Sequence, residues 1–165
     1  HSLYRPHIQA EKKISKLQLG YYNLIGVAGI GCGHYIRALL DQFNPESQLV
    51  IIENRPDILK EVMKRQDLTD ILQHTRNIKI FDGYQVISVL TDENNEKAIG
   101  LLALNLNNLE DKNKRYTLFN CKNIVYTTGG PARMYATSVY PGSHPWPTGR
   151  ALAAGAMDSS GTTPH

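Results

Sequence analysis

Long apolar runs are missing from this chain, and with them the signature of a membrane-spanning helix: nothing approaches the roughly 20 consecutive apolar residues that a bilayer requires. The N-terminus lacks the apolar core of a secretory leader, so no leader is expected there. Cysteine is nearly absent. Cys32 and Cys121 are two isolated thiols in unrelated contexts; a bridge between them is neither required nor excluded, and a reducing, cytoplasmic setting is the simpler expectation. Charge of either sign is unremarkable, with 18 Lys and Arg against 15 Asp and Glu and a net charge of +3. The basic residues are scattered and no basic run alternates with aromatics, which gives no reason to expect nucleic acid. The six histidines show no metal-ligand spacing. A starting methionine is also missing, and a fragment, a mosaic and a designed sequence are the readings left open.

What is present suits a globular domain. A 41% apolar and 20% charged composition over 165 residues is enough to build one proper core. The chain is organised around Leu24 to Glu53: an apolar segment, the loop Gly29-Ile30-Gly31-Cys32-Gly33, an amphipathic segment with Ile36, Leu39, Leu40 and Phe43 at helical spacing, a second apolar segment Leu49 to Ile52, and a terminal acid. That order is a nucleotide-binding βαβ unit. Glycines without Cβ atoms let a loop turn tightly and bring its amides near a phosphate, and the following helix points its positive end there. Glu53, at the tip of the second strand, can accept hydrogen bonds from both ribose hydroxyls. The spacing is Gly-x-Gly-x-Gly, because the sixth position of the strict dinucleotide fingerprint is His34; it also suits methyltransferase-like nucleotide sites. A tight strand-to-helix turn without any ligand remains the plain alternative.

Around this unit, residues 1–20 read as an N-terminal arm or helix, with Ile8, Ile14 and Leu17 on one face and Pro6 in the first turn; a lid helix or a frayed arm is the expectation. Tyr21 to Ile30 reads as the first, central strand. Asn54 to Asp57 is a turn into a helix carrying Ile58, Leu59, Val62 and Met63, and Asp67 caps a further short helix. Arg55, next to the acid, is either a phosphate contact or a surface residue. From Ile78 to Phe119 short alternating strands joined by polar turns read as a β-meander. Ile124-Val125-Tyr126 is a last short strand running into Thr127-Thr128-Gly129-Gly130. The fold class expected is α/β: a Rossmann-like parallel sheet with the meander 78–119 inserted, forming one dinucleotide-binding domain over 21–156, with 157–165 as a disordered tail.

Two family resemblances follow from quoted residues. Asn123-Ile124-Val125-Tyr126-Thr127-Thr128-Gly129-Gly130, the stretch PARMYATSVYP after it, and Thr148-Gly149-Arg150 with its alanine-rich continuation resemble the flavoprotein family of succinate dehydrogenase, fumarate reductase and aspartate oxidase. Thr127 stands where that family has alanine, and the Asp and second Gly of its Thr-Gly-Asp-Gly segment are missing. Phe81 to Leu90 resembles the strand whose valine backbone touches adenine. The resemblance covers about Lys79 to Ala156. It implies FAD held by Gly29, Gly31, Gly33, Glu53 and Val86 on the adenosine side and by Thr128, Gly129 and Gly130 over the pyrophosphate and flavin side, in the FAD-binding domain of an oxidoreductase acting on an unassigned small molecule. No segment is long enough for the family's substrate-capping domain, so that domain is expected to be incomplete. Arg133, His144 and Arg150 are the basic groups on the flavin side; none is assigned a catalytic role, and Cys32 lacks the partners of a nucleophile. The first half, from Gly29 to Leu40 with Val50 to Glu53 and Gln66 to Leu72, resembles instead the Rossmann-like domain of the motility accessory factor family, related to pterin diphosphokinase, with His34-Tyr35 in reversed order. That implies a nucleotide or sugar-nucleotide module as the alternative.

Overall fold

The computed structural model describes residues 5–17, 24–42, 44, 46–65, 69, 77–128, 151 and 153–155. Four strands, β1 (Leu24–Ala28), β2 (Gln48–Glu53), β3 (Ile78–Asp82) and β7 (Asn123–Tyr126), form a parallel sheet in the order β3-β2-β1-β7. Three more, β4 (Tyr84–Thr91), β5 (Ala98–Asn105) and β6 (Tyr116–Phe119), form an antiparallel meander in sequence order. The helices are α1 (Pro6–Ile14), α2 (His34–Leu40) and α3 (Pro56–Arg65). The expected α/β class with a Rossmann-like parallel sheet is what the chain forms.

Strand alternation divides the central sheet into two buried faces. Ile25, Val27, Leu49, Ile51, Ile78 and Val125 pack with Ala10, Ile14, Ile36, Leu39 and Val62 of the helices. Val50 and Ile52 face the other way, onto Leu101, Ala103, Phe119 and Cys121, with Phe81, Tyr84 and Val89 around them. Phe81 stands edge-on to both Tyr84 and Phe119, with ring centroids 5.4 and 4.8 Å apart. The result is three layers: helices, parallel sheet, meander. β1 and β2 are covered on both sides, which is why they read as continuous apolar runs rather than alternating ones.

Three details differ from the sequence reading. The meander begins at Tyr84, not at Ile78, because Ile78–Asp82 pairs in parallel with β2. As a sheet-edge strand it is less completely covered, and its half-exposed alternation is indistinguishable in sequence from that of an antiparallel strand. The N-terminal segment is no lid or frayed arm over the described residues: α1 packs against α2 and buries Ala10 and Ile14 at 0% and 1% exposure. Ala10 went unmarked as a core position because small residues, which let helices approach closely, do not stand out in a hydrophobic pattern. Leu17, expected on that face, is 42% exposed. The first strand runs from Leu24 to Ala28, and Ile30 belongs to the loop. The expected helix at Asp67, the segment from Gly129 to Arg150 and the tail 157–165 lie outside the described residues.

Candidate functional site

Because β3, β2, β1 and β7 are parallel, their C-terminal ends share one edge, and of the sequence-predicted residues Gly29, Gly31, Gly33, Glu53 and Thr128 lie there. β1 ends at Ala28, paired with Ile52 on one side and Tyr126 on the other; Glu53 ends β2 and pairs with Asp82, the end of β3. The Gly29 amide extends the ladder by donating to the Ile52 carbonyl at 2.8 Å. The chain then leaves the sheet through Gly29, Gly31 and Gly33, with φ of 85°, 52° and 81°. These left-handed values are strained for residues bearing a Cβ. At two of them space is closed as well: a Cβ on Gly29 would stand 2.9 Å from the Thr128 methyl, and one on Gly31 would stand 2.9 Å from the Thr127 carbonyl oxygen. Gly33 caps α2 and donates its amide to the Ile30 carbonyl at 3.0 Å.

Two interactions lock the loop in place. The Ile30 amide donates to Glu53 Oε2 at 2.9 Å, and the Arg55 amide donates to Glu53 Oε1 at 2.9 Å. The acid at the tip of β2 therefore ties the glycine loop to the turn entering α3, and it is only 4% exposed. Each carboxylate oxygen accepts one such bond and retains further acceptor capacity. From the other side, the Thr127 amide donates to the Ala28 carbonyl at 2.8 Å. The Thr127 hydroxyl lies within donating reach of the carbonyl oxygens of Ala28, at 3.3 Å, and of Gly29. Sequence reasoning missed Thr127, and the only signal for it was that it departs from the alanine of the resembling family. The amides of Gly31 and Cys32 have no hydrogen-bond partner among the described residues.

Arg55 sits at the rim of this edge. Its guanidinium forks onto Asp57, Nε to Oδ1 at 3.3 Å and a terminal nitrogen to Oδ2 at 2.5 Å. That hydrogen bond, with the opposite charge behind it, holds the Asp57 carboxyl below its ordinary range and raises Arg55 above its own. Val86 lies in β4, partly buried against the meander-side core, with its strand starting two residues past Asp82. Thr128 abuts Gly29, whereas Gly129 and Gly130 lie outside the described residues. Cys32 is exposed and Cys121 buried, and both are free thiols. Among the described residues no cluster of His, Cys, Asp and Glu is placed to hold a metal, and no helix is long and apolar enough to cross a membrane. A cavity of about 340 Å³ lies beside β7, with Val89, Ala98, Lys122, Ile124, Tyr126 and Ala154 among its lining residues; neither the glycine loop nor Glu53 lines it.

No protein-family model matches the chain, and no curated protein matches it. Solved structures similar to it include a ferredoxin reductase from Rhodopseudomonas palustris, at 13% identity and a TM-score of 0.43, over 67% of this chain and 25% of that one. Another is putidaredoxin reductase in its covalent complex with putidaredoxin, at 15% identity and 0.44, over 84% and 28%. A third is a FAD-dependent pyridine nucleotide-disulphide oxidoreductase from Desulfovibrio vulgaris, at 15% identity and 0.46, over 94% and 33%. The chain thus spans between a quarter and a third of the length of these structures.

Proposed function

We propose that this chain binds FAD, as the dinucleotide-binding domain of a flavin-dependent oxidoreductase acting on a small molecule in the cytoplasm. One observation carries the reading: the Gly29–Gly33 loop and the Thr127-Thr128 turn pack against each other at the C-terminal edge of a parallel sheet, with Glu53 tied to the same loop. In the chain, strands step outward from β1 to β2 to β3 and then return to β7 on the opposite side of β1. The junction of β1 and β7 is therefore where the strand order reverses, the place at which open α/β sheets bind their ligands.

The residues present fit the ligand. Positions 29 and 31 admit no side chain because the Thr127-Thr128 turn packs onto them, and the amides of Gly31 and Cys32, without a partner among the described residues, are the donors that would meet a pyrophosphate. α2 is only seven residues long, so the loop amides rather than a strong helix dipole do this. Glu53 would hold the adenosine ribose, its anchoring by Ile30 and Arg55 fixing the carboxylate in advance. Val86 is assigned to the adenine and Thr128, Gly129 and Gly130 to the flavin side on the flavoprotein resemblance. When bound, flavin supplies hydride and electron transfer, while the protein's part is to hold and tune it. The resemblance implies the order βαβ with an acid, a meander and a return strand running into Thr127-Thr128, and the observed order supports the reading, with β3 as a further parallel strand ahead of the meander.

A second reading, a Rossmann-like nucleotide or sugar-nucleotide module similar to motility accessory factors, draws on the Gly-x-Gly-x-Gly spacing and gives the meander no part. The visible spectrum of purified protein with and without added FAD tests the choice. The expected result is a flavin band that co-elutes with the protein, and a Gly31→Ala variant with FAD affinity weaker by about 5- to 150-fold, the equivalent of a strained backbone costing on the order of 1–3 kcal/mol. Protein that takes up no FAD overturns the flavin reading; binding of ADP without FAD favours the second.

A further inference from the structure

The cavity beside β7 lies apart from every residue assigned to the nucleotide's phosphates and ribose. β7 ends the parallel sheet on its side, so no described strand covers its outer flank. The cavity follows that strand, from Lys122 just ahead of it to Tyr126 at its end, a span of roughly 13 Å at about 3.3 Å per residue. Leu17, past the end of α1, and Val89 and Ala98 of the meander share the lining with Ile124 and Ala154. Leu17 is 42% exposed, and its place in this lining accounts for an apolar side chain left outside the α1 core. The one charged group among the described lining residues is Lys122. It is exposed, and it has neither an ion pair nor a side-chain hydrogen bond with any described residue.

We propose that this cavity is a binding site for a medium-chain alkyl carboxylate, its chain laid along β7 and its carboxylate meeting the Lys122 ammonium. Size, lining and charge each narrow the choice. A volume of about 340 Å³ is at the small end of ligand pockets, which run from roughly 300 to 1,000 Å³. Apolar walls favour an apolar ligand over water. A lysine offers one compact charge on a flexible stem, which suits a single carboxylate. A phosphate would bring further charge against a wall with nothing to meet it. No acid among the described lining residues competes for the ammonium or repels the ligand. Neither the glycine loop nor Glu53 borders the cavity, so the site goes beyond the FAD reading and does not depend on it.

Isothermal titration on the full chain tests this with octanoate, octanol and octylamine, which share one chain and differ in head group, and with hexanoate and decanoate for length. Wild type is expected to bind octanoate saturably, about threefold to fivefold more tightly than octanol, the size of an exposed ion pair. Lys122→Gln should erase that preference, and Lys122→Glu should transfer it to octylamine. From hexanoate to octanoate the affinity should rise by up to about fourfold per methylene, a gain that shrinks towards decanoate as the chain outgrows the cavity. Ala98→Leu and Ala154→Leu, which put bulk into the cavity, should each weaken octanoate by about tenfold. Two such variants are made so that poor folding of one, seen in its urea transition, does not decide the outcome. Absence of saturable octanoate binding to wild type overturns the proposal, and so do equal affinities for octanoate and octanol, or folded filling variants that bind as wild type does. FAD uptake is read separately from the visible spectrum, so failure of this site and failure of the nucleotide reading are told apart.

Discussion

Adding one methyl group at Gly26 tests whether the meander is packed on the parallel sheet as described. Gly26 is the middle of β1, and a Cβ there would stand 2.8 Å from Cys121 Sγ and 2.9 Å from Leu101 Cδ1. Both neighbours belong to the meander-side core, at 1% and 0% exposure. Replacing glycine by alanine in a strand would by itself favour folding by about 0.5–1 kcal/mol. Overfilling a closed core costs about 1–3 kcal/mol, so the overpacking wins and Gly26→Ala should lose on the order of 1–2 kcal/mol. Cys121→Ala removes the nearer obstacle. In that background the same methyl group has room on one side, and the flexible end of Leu101 can yield on the other. The two substitutions should therefore couple favourably, by about 1 kcal/mol beyond additivity, as contacting residues do. Urea denaturation of wild type, both single variants and the double variant gives the cycle, with equal slopes required for the comparison. If the cycle closes additively to within about 0.5 kcal/mol, the figure expected of distant sites, then Cys121 and Gly26 are not in contact and the third layer lies elsewhere.

Glu53→Gln should lower stability by about 2 kcal/mol, because a charged acceptor of one buried and one part-buried amide becomes an amide with a donor facing one of them; chemical denaturation without ligand measures it, and an unchanged midpoint would show that the loop is not held by this acid. Burial pushes the Cys121 thiol up to about 11, above its unfolded value. Its contribution is therefore complete below the unfolded pKa and lost as pH rises towards the folded one, so stability should fall between about pH 9 and 11 in wild type and less in Cys121→Ala, as thermal melts across that range would register. At pH 8 a thiol reagent should modify exposed Cys32 rapidly and Cys121 only after denaturation; rapid modification of both would contradict the burial. Asp57, held low by Arg55, should titrate by NMR below the ordinary aspartate midpoint and move up towards it in Arg55→Gln. Its sign is opposite to that of Cys121: the small stabilisation is present above the unfolded pKa and vanishes as pH falls through the folded one.

Much of the geometry of the candidate site was legible in the chain because its signals are local. Gly29, Gly31 and Gly33 announce positive φ, Glu53 follows an apolar strand at the right distance, and the polar turns at Asp92 to Asn95 and around Asn107 separate the meander strands. Those features depend on neighbours in sequence, and the sequence determined them: a glycine loop, an acid at a strand tip, two styles of β-strand. What only the tertiary structure decided is partnership. β3 alternates like a meander strand and yet pairs in parallel with β2; Ala10 is small enough to escape notice and yet lies in the core; Gly26 looks like any strand glycine until Cys121 and Leu101, far along the chain, close over it. The meeting of Thr127 and Thr128 with Gly29 and Gly31 across about a hundred residues belongs to the same class. Hydrophobic pattern records how much a residue is buried, not against what, and strand pairing, layer order and the lock on the glycine loop are fixed by which surfaces fit together once the chain has closed.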